Sequence, residues 1–428
     1  MQVIGPIVLL AVAVAGLLAP QLRSLGWLAP TACAALALAI GAVPAASAGD
    51  AVRPLLAPLA FIVLAVPMAV MLDHYGLFDE LASLLGGGRR YLGALWLLAA
   101  ATTALLNLDV AVVLLSPLYV RVADRRGESR LAVAVQPALL SCLASSALPV
   151  SNLTNLIAVA RDHLSTTGFL VHLGLPTAAA TGVGWLCYRK GIGRIEALVA
   201  DPGPSRAATV PAARPAGQLA VRRDGRRVAR AADRSRAQVL AVGGALVAAV
   251  VVGFVAVPSI GGQPYEVAAA ADVVLVVLTR SVPLRVVPWQ SVGTVLGLGV
   301  LASAAAEHLA VARVLGGPSF PGIAGAAAVS AAGANVVNNL PAILVALPAL
   351  GHRASWTLWA VLLGTNVGPL AVPSGSLAVL LWLETVRRLG VPVRDRDYLR
   401  IGWWIGVPAL LVSLAVLLAL RALLGAGQ

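Results

Sequence analysis

The chain has 428 residues, of which 59% are hydrophobic and only 11% are charged. Its 18 acidic and 31 basic side chains are too few to cover a soluble protein of this length, so composition excludes a water-soluble globular fold. Cys33, Cys142 and Cys187 lie far apart, which argues against a disulfide framework and against a cysteine metal site.

Apolar stretches of about 20 residues, the length that crosses a bilayer core, recur along the chain. They predict ten spanning helices, near residues 3–20, 26–44, 55–72, 131–160, 168–188, 238–258, 265–280, 287–306, 355–383 and 401–424. Two further apolar segments, 91–120 and 319–351, carry polar residues at their middles. They are predicted to be re-entrant hairpins, which enter and leave the membrane on one face. The first stretch has no basic residue before it and is interpreted as a retained span, not a cleaved signal.

The basic residues divide unequally between the two sets of loops that this arrangement creates. One set holds 26 of the 31 Lys and Arg residues, and 12 of these lie in the 189–236 loop. The positive-inside rule places this set in the cytoplasm of a bacterial-type plasma membrane, with both termini outside. The 189–237 segment is predicted to be a basic cytoplasmic linker. The net charge of +13 therefore suits anionic lipid and does not indicate nucleic-acid binding.

The two halves of the chain repeat one order of elements. Residues 1–188 and 238–428 each contain three spans, a hairpin and two further spans, and the halves enter the membrane from opposite faces. Asn107 through Pro117 aligns with Asn338 through Pro348 at one constant offset. We therefore predict an all-α polytopic membrane protein of two inverted repeats. This organisation is typical of transporters.

Four polar clusters fall near the centres of apolar segments, at the two hairpin tips and at breaks within the 131–160 and 355–383 spans. Polar groups at membrane depth are costly, and irregular backbone persists there only where it lines protein or a cavity. A single Asn or Ser is more often a helix–helix contact, but four symmetry-related clusters beside Pro or Gly indicate a solute site. The predicted substrate- and ion-binding residues are Asn107, Asp109, Ser151, Asn152, Thr154, Asn155, Asn335, Asn338, Asn339, Asn366, Ser374, Gly375 and Ser376.

Asp109 is a carboxylic acid in a tip otherwise flanked by Leu and Val. Such a group is costly to ionise in the membrane, which makes it the candidate proton carrier or cation ligand. The alternative is a structural carboxylate that caps the second arm of the hairpin. Cys142, in the helix before the first break, is interpreted as a packing residue. No cofactor, catalytic residue or metal site is expected.

Several of these segments form motifs. They are Gly364 through Pro369, Pro373 through Ala378 followed by Leu380 through Trp382, Asn338 through Pro341, Ser151 through Leu153 with Asn155, and Asp109 with Pro117. Together they resemble the ion transporter superfamily and, within it, the arsenite and antimonite exporter family. The sequence departs from that pattern at two positions: Leu108 stands where the family usually has Asn, and Val372 where it usually has Thr.

The resemblance implies a scaffold domain and a mobile transport domain, often in a homodimer. The sequence has no ATP-binding P-loop motif, so transport driven by ATP would need a separate ATPase subunit as a partner. It also implies efflux of the uncharged trihydroxide of arsenic or antimony in exchange for protons. The residue types agree, because a neutral hydroxylated solute requires hydrogen-bonding Asn, Ser and Thr side chains and no basic clamp.

Three alternatives stay open. A sodium- or proton-coupled transporter of dicarboxylate- or sulfate-like anions, or a sodium/proton antiporter, would use the same fold. A passive channel would show no saturable, coupled flux. An intramembrane enzyme is disfavoured, because the five histidines are predicted near the membrane surfaces and neither a His-Glu-x-x-His nor a Gly-x-Ser-x-Gly motif is present.

Overall fold

The computed structural model describes residues 4–18, 28–85, 90–200, 235–306, 308–309, 311–351 and 355–424, and no residue in these ranges forms a β-strand. Most of the predicted linker and both chain ends lie outside the described residues. The predicted all-α membrane protein is confirmed. Within the described ranges, six helical segments are long and apolar enough to cross a membrane: Ala45–Tyr75, Thr166–Ala197, Arg236–Ser259, Leu284–Ala306, Phe320–Val337 and Asp395–Leu424.

The first half of the chain forms eleven described helices. They are α1 (Ile4–Leu18), α2 (Leu28–Ala39), α3 (Ala45–Val52), α4 (Leu56–Tyr75), α5 (Leu77–Leu85), α6 (Tyr91–Leu105), α7 (Leu108–Arg126), α8 (Arg130–Leu143), α9 (Leu153–Asp162), α10 (Thr166–Phe169) and α11 (Leu175–Ala200). A π-helical turn at Leu170–Gly174 joins α10 to α11.

The described helices of the second half follow a similar order. They are α12 (Arg236–Ser259), α13 (Pro264–Thr279), α14 (Trp289–Ala306), α15 (Val311–Leu315), α16 (Phe320–Val337), α17 (Asn339–Leu350), α18 (Trp356–Val367), α19 (Leu377–Arg388) and α20 (Asp395–Leu424).

Helices α6 and α7 lie antiparallel to each other. Near the middle of the pair, the Tyr119 hydroxyl donates a hydrogen bond to the carbonyl of Leu95. Near its open end, the Arg126 guanidinium lies 3.9 Å from the centre of the Tyr91 ring. These contacts join residues at similar distances before and after the turn, so the chain reverses between the helices. α16 and α17 also pack against each other.

Helices of the first half pack on helices of the second half in corresponding pairs. Helix α4 packs on α13, α14 packs on α2, and the two long helices α11 and α20 pack along each other. The helix pairs α6–α7 and α16–α17 contact the interrupted helices α8 and α18, and this places all four predicted polar clusters in one part of the molecule.

The observed helices differ from the predicted spans at several points. The span predicted at 55–72 belongs to a longer apolar segment that begins at Ala45. The breaks predicted within the 131–160 and 355–383 spans are present, and each of these segments is two shorter helices separated by turns. Phe320–Val337 is long enough to cross a membrane by itself, although the sequence suggests a hairpin arm. Trp96 of α6 is 2% exposed and stacks on Tyr188.

Candidate functional site

Two helical segments are interrupted in corresponding ways. After α8 the chain forms a 3-10 turn at Pro149–Ser151 before α9 begins. After α18 it forms 3-10 turns at Gly368–Ala371 and Pro373–Gly375 before α19 begins. Proline has no backbone N–H and clashes with the preceding helical turn. The prolines in these turns therefore stop the helix, and the freed backbone groups become available to side chains.

Four buried polar side chains join the two interruptions. The Asn366 side-chain oxygen accepts hydrogen bonds from Asn152 Nδ2 at 2.9 Å and from Thr154 Oγ1 at 2.7 Å. Its nitrogen donates to Asn155 Oδ1 at 2.8 Å. All four side chains are almost completely buried. These bonds connect the start of α9 to the end of α18, so the two halves of the chain share one polar centre.

An asparagine lies between the helices of each pair, α6–α7 and α16–α17, and donates a hydrogen bond to a neighbouring interruption. Asn107 Nδ2 donates to the carbonyl of Val150 at 3.2 Å, and Asn338 Nδ2 donates to the carbonyl of Ser374 at 2.9 Å. In both asparagines the side-chain oxygen accepts from the amide two residues later, so each is also the N-cap of the helix that follows. The structure therefore joins each of these asparagines to an interrupted segment.

The second interruption contains a close approach that requires glycine. Asn335 Nδ2 donates to the carbonyls of Gly368 and Ala331, both at 2.8 Å. A Cβ on Gly375 would lie 2.7 Å from the Pro369 carbonyl oxygen and 3.1 Å from Asn335 Oδ1. That Oδ1 is buried and has no hydrogen-bond partner within the described ranges. The turn therefore places Asn335 Oδ1, an acceptor without a partner among the described residues, against the backbone of Gly375.

Asp109 lies in the first turn of α7 and is half-buried. Its amide donates to Asn107 Oδ1 at 2.8 Å, so Asn107 is the N-cap. The N-cap of α7 is therefore Asn107 and not Asp109. None of the ion pairs between described residues includes Asp109. Its position at the start of a helix favours a negative charge.

The other predicted residues take different places in this region. The Ser151 hydroxyl donates to the carbonyls of Ser145 and Leu148, at 2.7 and 2.6 Å, and so holds the first turn in shape. Ser374 contributes its carbonyl to Asn338. Asn339 is buried, and its side chain forms no hydrogen bond with the described residues.

Ser145 is a member of this centre that sequence reasoning missed. Its carbonyl accepts from Asn155 Nδ2 at 2.9 Å as well as from Ser151, and its hydroxyl accepts from Asn152 Nδ2 at 3.5 Å. The only sequence signal was a pair of serines a few residues before Pro149. The hydrogen bonds of this centre include no Lys or Arg from the described ranges. In the same ranges, no group of His, Cys, Asp and Glu side chains could hold a metal ion.

A cavity of about 320 Å³ lies beside the far end of α9. Ile157 and Arg161 of α9 line it together with Leu344 of α17, Ser303 of α14 and Asp50 of α3. Helices α9 and α17 both begin at the polar centre, so the cavity lies further along the helices that carry the site.

The chain was compared with known proteins. Residues 3–364 match the model of the CitMHS family, described as a citrate transporter. The arsenical pump membrane protein of Yersinia enterocolitica is 28% identical over 434 residues, which cover 94% of this chain and 95% of that protein. Proteins of the same name from Escherichia coli strain K12 and Shigella flexneri are 27% identical over 437 residues, with the same coverage.

These relatives confirm the resemblance to arsenical exporters. The family match covers most of the chain and agrees with the part of the chain that the structure describes, which is helical and includes six helices long and apolar enough to cross a membrane. The chain therefore belongs to the CitMHS citrate transporter family and is a multi-pass membrane transporter.

Proposed function

We propose that the protein exports arsenite and antimonite from the cytoplasm as neutral trihydroxides, by secondary active transport across a bacterial plasma membrane. The observation that carries this proposal is the buried centre of amides and hydroxyls around Asn366, which has no basic partner among the described residues. A trihydroxide both donates and accepts hydrogen bonds, and amide and hydroxyl side chains do the same.

A citrate-like anion is the second candidate, because the matching family model is that of a citrate transporter. A polycarboxylate is held best by Arg or Lys, or by free N–H groups at helix starts. At the starts of α7, α9 and α17 one such amide is already bonded by Asn107, Asn152 and Asn338. The centre therefore suits a neutral solute better than a polyanion.

The proposed architecture is a pair of inverted repeats, residues 1–188 and 238–428, with re-entrant hairpins at 91–120 and 319–351 and ten spans. Two observations support it. One offset relates the end of α8 to the end of α18 and the start of α9 to the start of α19. The packing of α4 on α13 is mirrored by that of α14 on α2.

In this architecture the helices divide into two groups. Helices α1–α4 and α12–α14 form the scaffold, and the paired and interrupted helices form the transport domain. The cavity beside α9 has lining residues from both groups, so it is the proposed exit path to the outside. The distribution of Lys and Arg supports outside termini and a cytoplasmic 189–237 linker.

Asp109 is the proposed proton-coupling residue. It begins the helix whose N-cap, Asn107, is bonded to the first interruption. A change in the protonation of Asp109 therefore occurs within one helical turn of the hydrogen bond from Asn107 to the carbonyl of Val150. The lack of an ion-pair partner among the described residues leaves the carboxyl available for a proton.

The test is arsenite accumulation in a bacterial host that lacks its own exporter, with and without the protein. We expect lower accumulation and higher tolerance with the protein. Uptake by everted membrane vesicles then distinguishes arsenite from citrate as the substrate. The vesicles should take up arsenite when a pH gradient is imposed. Arsenite uptake that excess citrate does not inhibit supports the proposal. Citrate transport without arsenite transport would refute the proposal and favour the second candidate.

A further inference from the structure

One indole fixes the contact between helices α11 and α20 at the end where the predicted linker begins. Trp404 Nε1 of α20 donates a hydrogen bond to the Cys187 carbonyl of α11 at 3.1 Å. A Cβ on Gly191 would lie 2.9 Å from the same nitrogen, so the indole lies against the α11 backbone. The Arg194 guanidinium lies 4.8 Å from the centre of the Trp404 ring. The indole is 44% exposed, so its position is fixed while part of its surface stays accessible.

Three basic side chains lie around this indole. Lys190 lies one helical turn before Arg194 on α11, and Arg400 lies one turn before Trp404 on α20. Residues four apart share a helix face, so each base lies on the face that carries the contact. All three bases are exposed, and none of the ion pairs between described residues includes them. We refer to Lys190, Arg194, Arg400 and Trp404 as the basic groove.

The carboxylates at this end of the two helices are directed elsewhere. In the first turn of α20, Asp395 and Asp397 are each paired with an arginine outside the groove. Glu196 of α11 follows Arg194 by two residues, so the two side chains do not face each other. Glu196 instead lines a separate cavity of about 310 Å³ with Arg130. The basic groove therefore keeps an uncompensated positive charge, which suits an anion.

The same helix faces become apolar further from the linker. On α11 the face that carries Lys190 continues one turn away with Leu186, which is exposed. On α20 the face that carries Trp404 continues two turns away with Leu411, which is also exposed. Both helices therefore present positive charge at one end and an apolar surface beside it. A phospholipid has the matching order, with its charged phosphate at the membrane surface and its acyl chains below.

We propose that the basic groove binds the phosphate headgroup of an anionic phospholipid in the cytoplasmic leaflet. The two guanidinium groups donate charge-assisted hydrogen bonds to phosphate oxygens, and the Lys190 ammonium adds a point charge. The exposed indole lies at headgroup depth, where tryptophan is favoured. An acyl chain of the lipid lies along Leu186 and Leu411. Since α11 and α20 end the two halves of the chain, the bound lipid joins the halves at the cytoplasmic surface.

The first test measures lipid binding to the purified full-length protein by native mass spectrometry. We expect the parent to bind phosphatidylglycerol, which is anionic, at least ~10-fold more tightly than neutral phosphatidylcholine. Arg194→Gln and Arg400→Gln should each weaken phosphatidylglycerol binding ~5-fold, as expected for the loss of one base near an anionic headgroup, and leave phosphatidylcholine binding unchanged. Arg285→Gln is the matched control, because Arg285 is an exposed base outside the groove, and it should bind like the parent.

Two results of this test would overturn the proposal. One is equal binding of the two lipids by the parent, and the other is an equal loss of binding in Arg194→Gln and Arg285→Gln. Inorganic phosphate distinguishes a lipid site from a site for free anions. It should not displace phosphatidylglycerol at the same concentration, and displacement would assign the groove to free phosphate instead.

The second test locates the acyl chains by fluorescence. Bromine atoms on a lipid chain quench an indole that the chain contacts, and Trp403, beside the groove, is 59% exposed. Brominated phosphatidylglycerol should therefore quench the parent more than brominated phosphatidylcholine does, and Trp403→Phe should reduce this difference. Trp289→Phe, which removes a similarly exposed indole elsewhere, should keep it. The same difference in both variants would contradict the proposed position of the lipid. Neither test requires transport, so both are independent of the proposed substrate.

Discussion

Asn366→Leu is the substitution that tests the polar centre most directly. Asn366 is 1% exposed and makes three side-chain hydrogen bonds of 2.7–2.9 Å to the first half of the chain. A buried hydrogen bond contributes about 1 kcal/mol net, so losing three costs about 3 kcal/mol of stability. Leucine has the same branching and the same number of side-chain heavy atoms as asparagine but is larger, so the loss comes from the unpaired partners and from overpacking, and no cavity forms.

The matched control is Thr365→Val, one residue earlier. The Thr365 hydroxyl is equally buried, but it donates only to the carbonyls of Val361 and Leu362 in its own helix. Its removal should cost less than about 1 kcal/mol, since no contact between the halves is lost. Denaturation of the purified proteins in detergent measures the difference, and arsenite uptake by vesicles measures function. If the two variants unfold at the same denaturant concentration and transport equally, the polar centre neither joins the halves nor binds the solute.

Three further predictions concern other parts of the site. Asp109→Asn should abolish uptake driven by a pH gradient while the protein still inserts, and wild-type coupling in that variant would remove Asp109 from the mechanism. Asn338→Gly keeps a residue that tolerates the observed φ of 79° but loses the bond to Ser374. It should raise KM for arsenite several-fold, and an unchanged KM would show that the tip does not position the solute. Gly375→Ala should lower transport at least ~10-fold, because its Cβ meets a carbonyl oxygen at 2.7 Å. Gly325→Ala, which points into open space, should transport like the parent, and equal effects of the two alanines would contradict the steric argument.

The predictable part of this molecule follows from local chemistry. Long apolar segments, polar residues at their centres and adjacent prolines are visible in the chain. They lead to the helical fold and to the positions of both interruptions. The N-cap roles of Asn107, Asn152 and Asn338 also follow from residue type, because an Asn side chain satisfies the free amides of a helix start. That these residues bind a solute stays a prediction.

The unpredictable part depends on contacts between distant residues. Asn366 is more than 200 residues from its partners in the first half, and no sequence pattern specifies that pairing. The stacking of Trp96 on Tyr188 is unpredictable for the same reason, because it depends on how α6 and α11 meet. Ser145 was missed because a serine in a membrane helix most often bonds to its own backbone. Its role comes from the turn that brings Ser151 and Asn155 to its carbonyl.

Asn107 and Asn338 indicate how the two proposed repeats could share a backbone arrangement although their sequences differ. Asn107 and Asn338 both donate to a backbone carbonyl, so the side chain at the accepting residue is free to vary. That residue is Val150 in one half and Ser374 in the other. The bond therefore requires an asparagine and an interrupted helix, and it requires no matching side chain. If the halves are the proposed inverted repeats, this freedom would allow them to diverge around a common backbone. At the offset that relates Asn107 to Asn338, the position of Asp109 corresponds to Leu340, so only one of the two helix starts carries the proposed proton-coupling carboxylate.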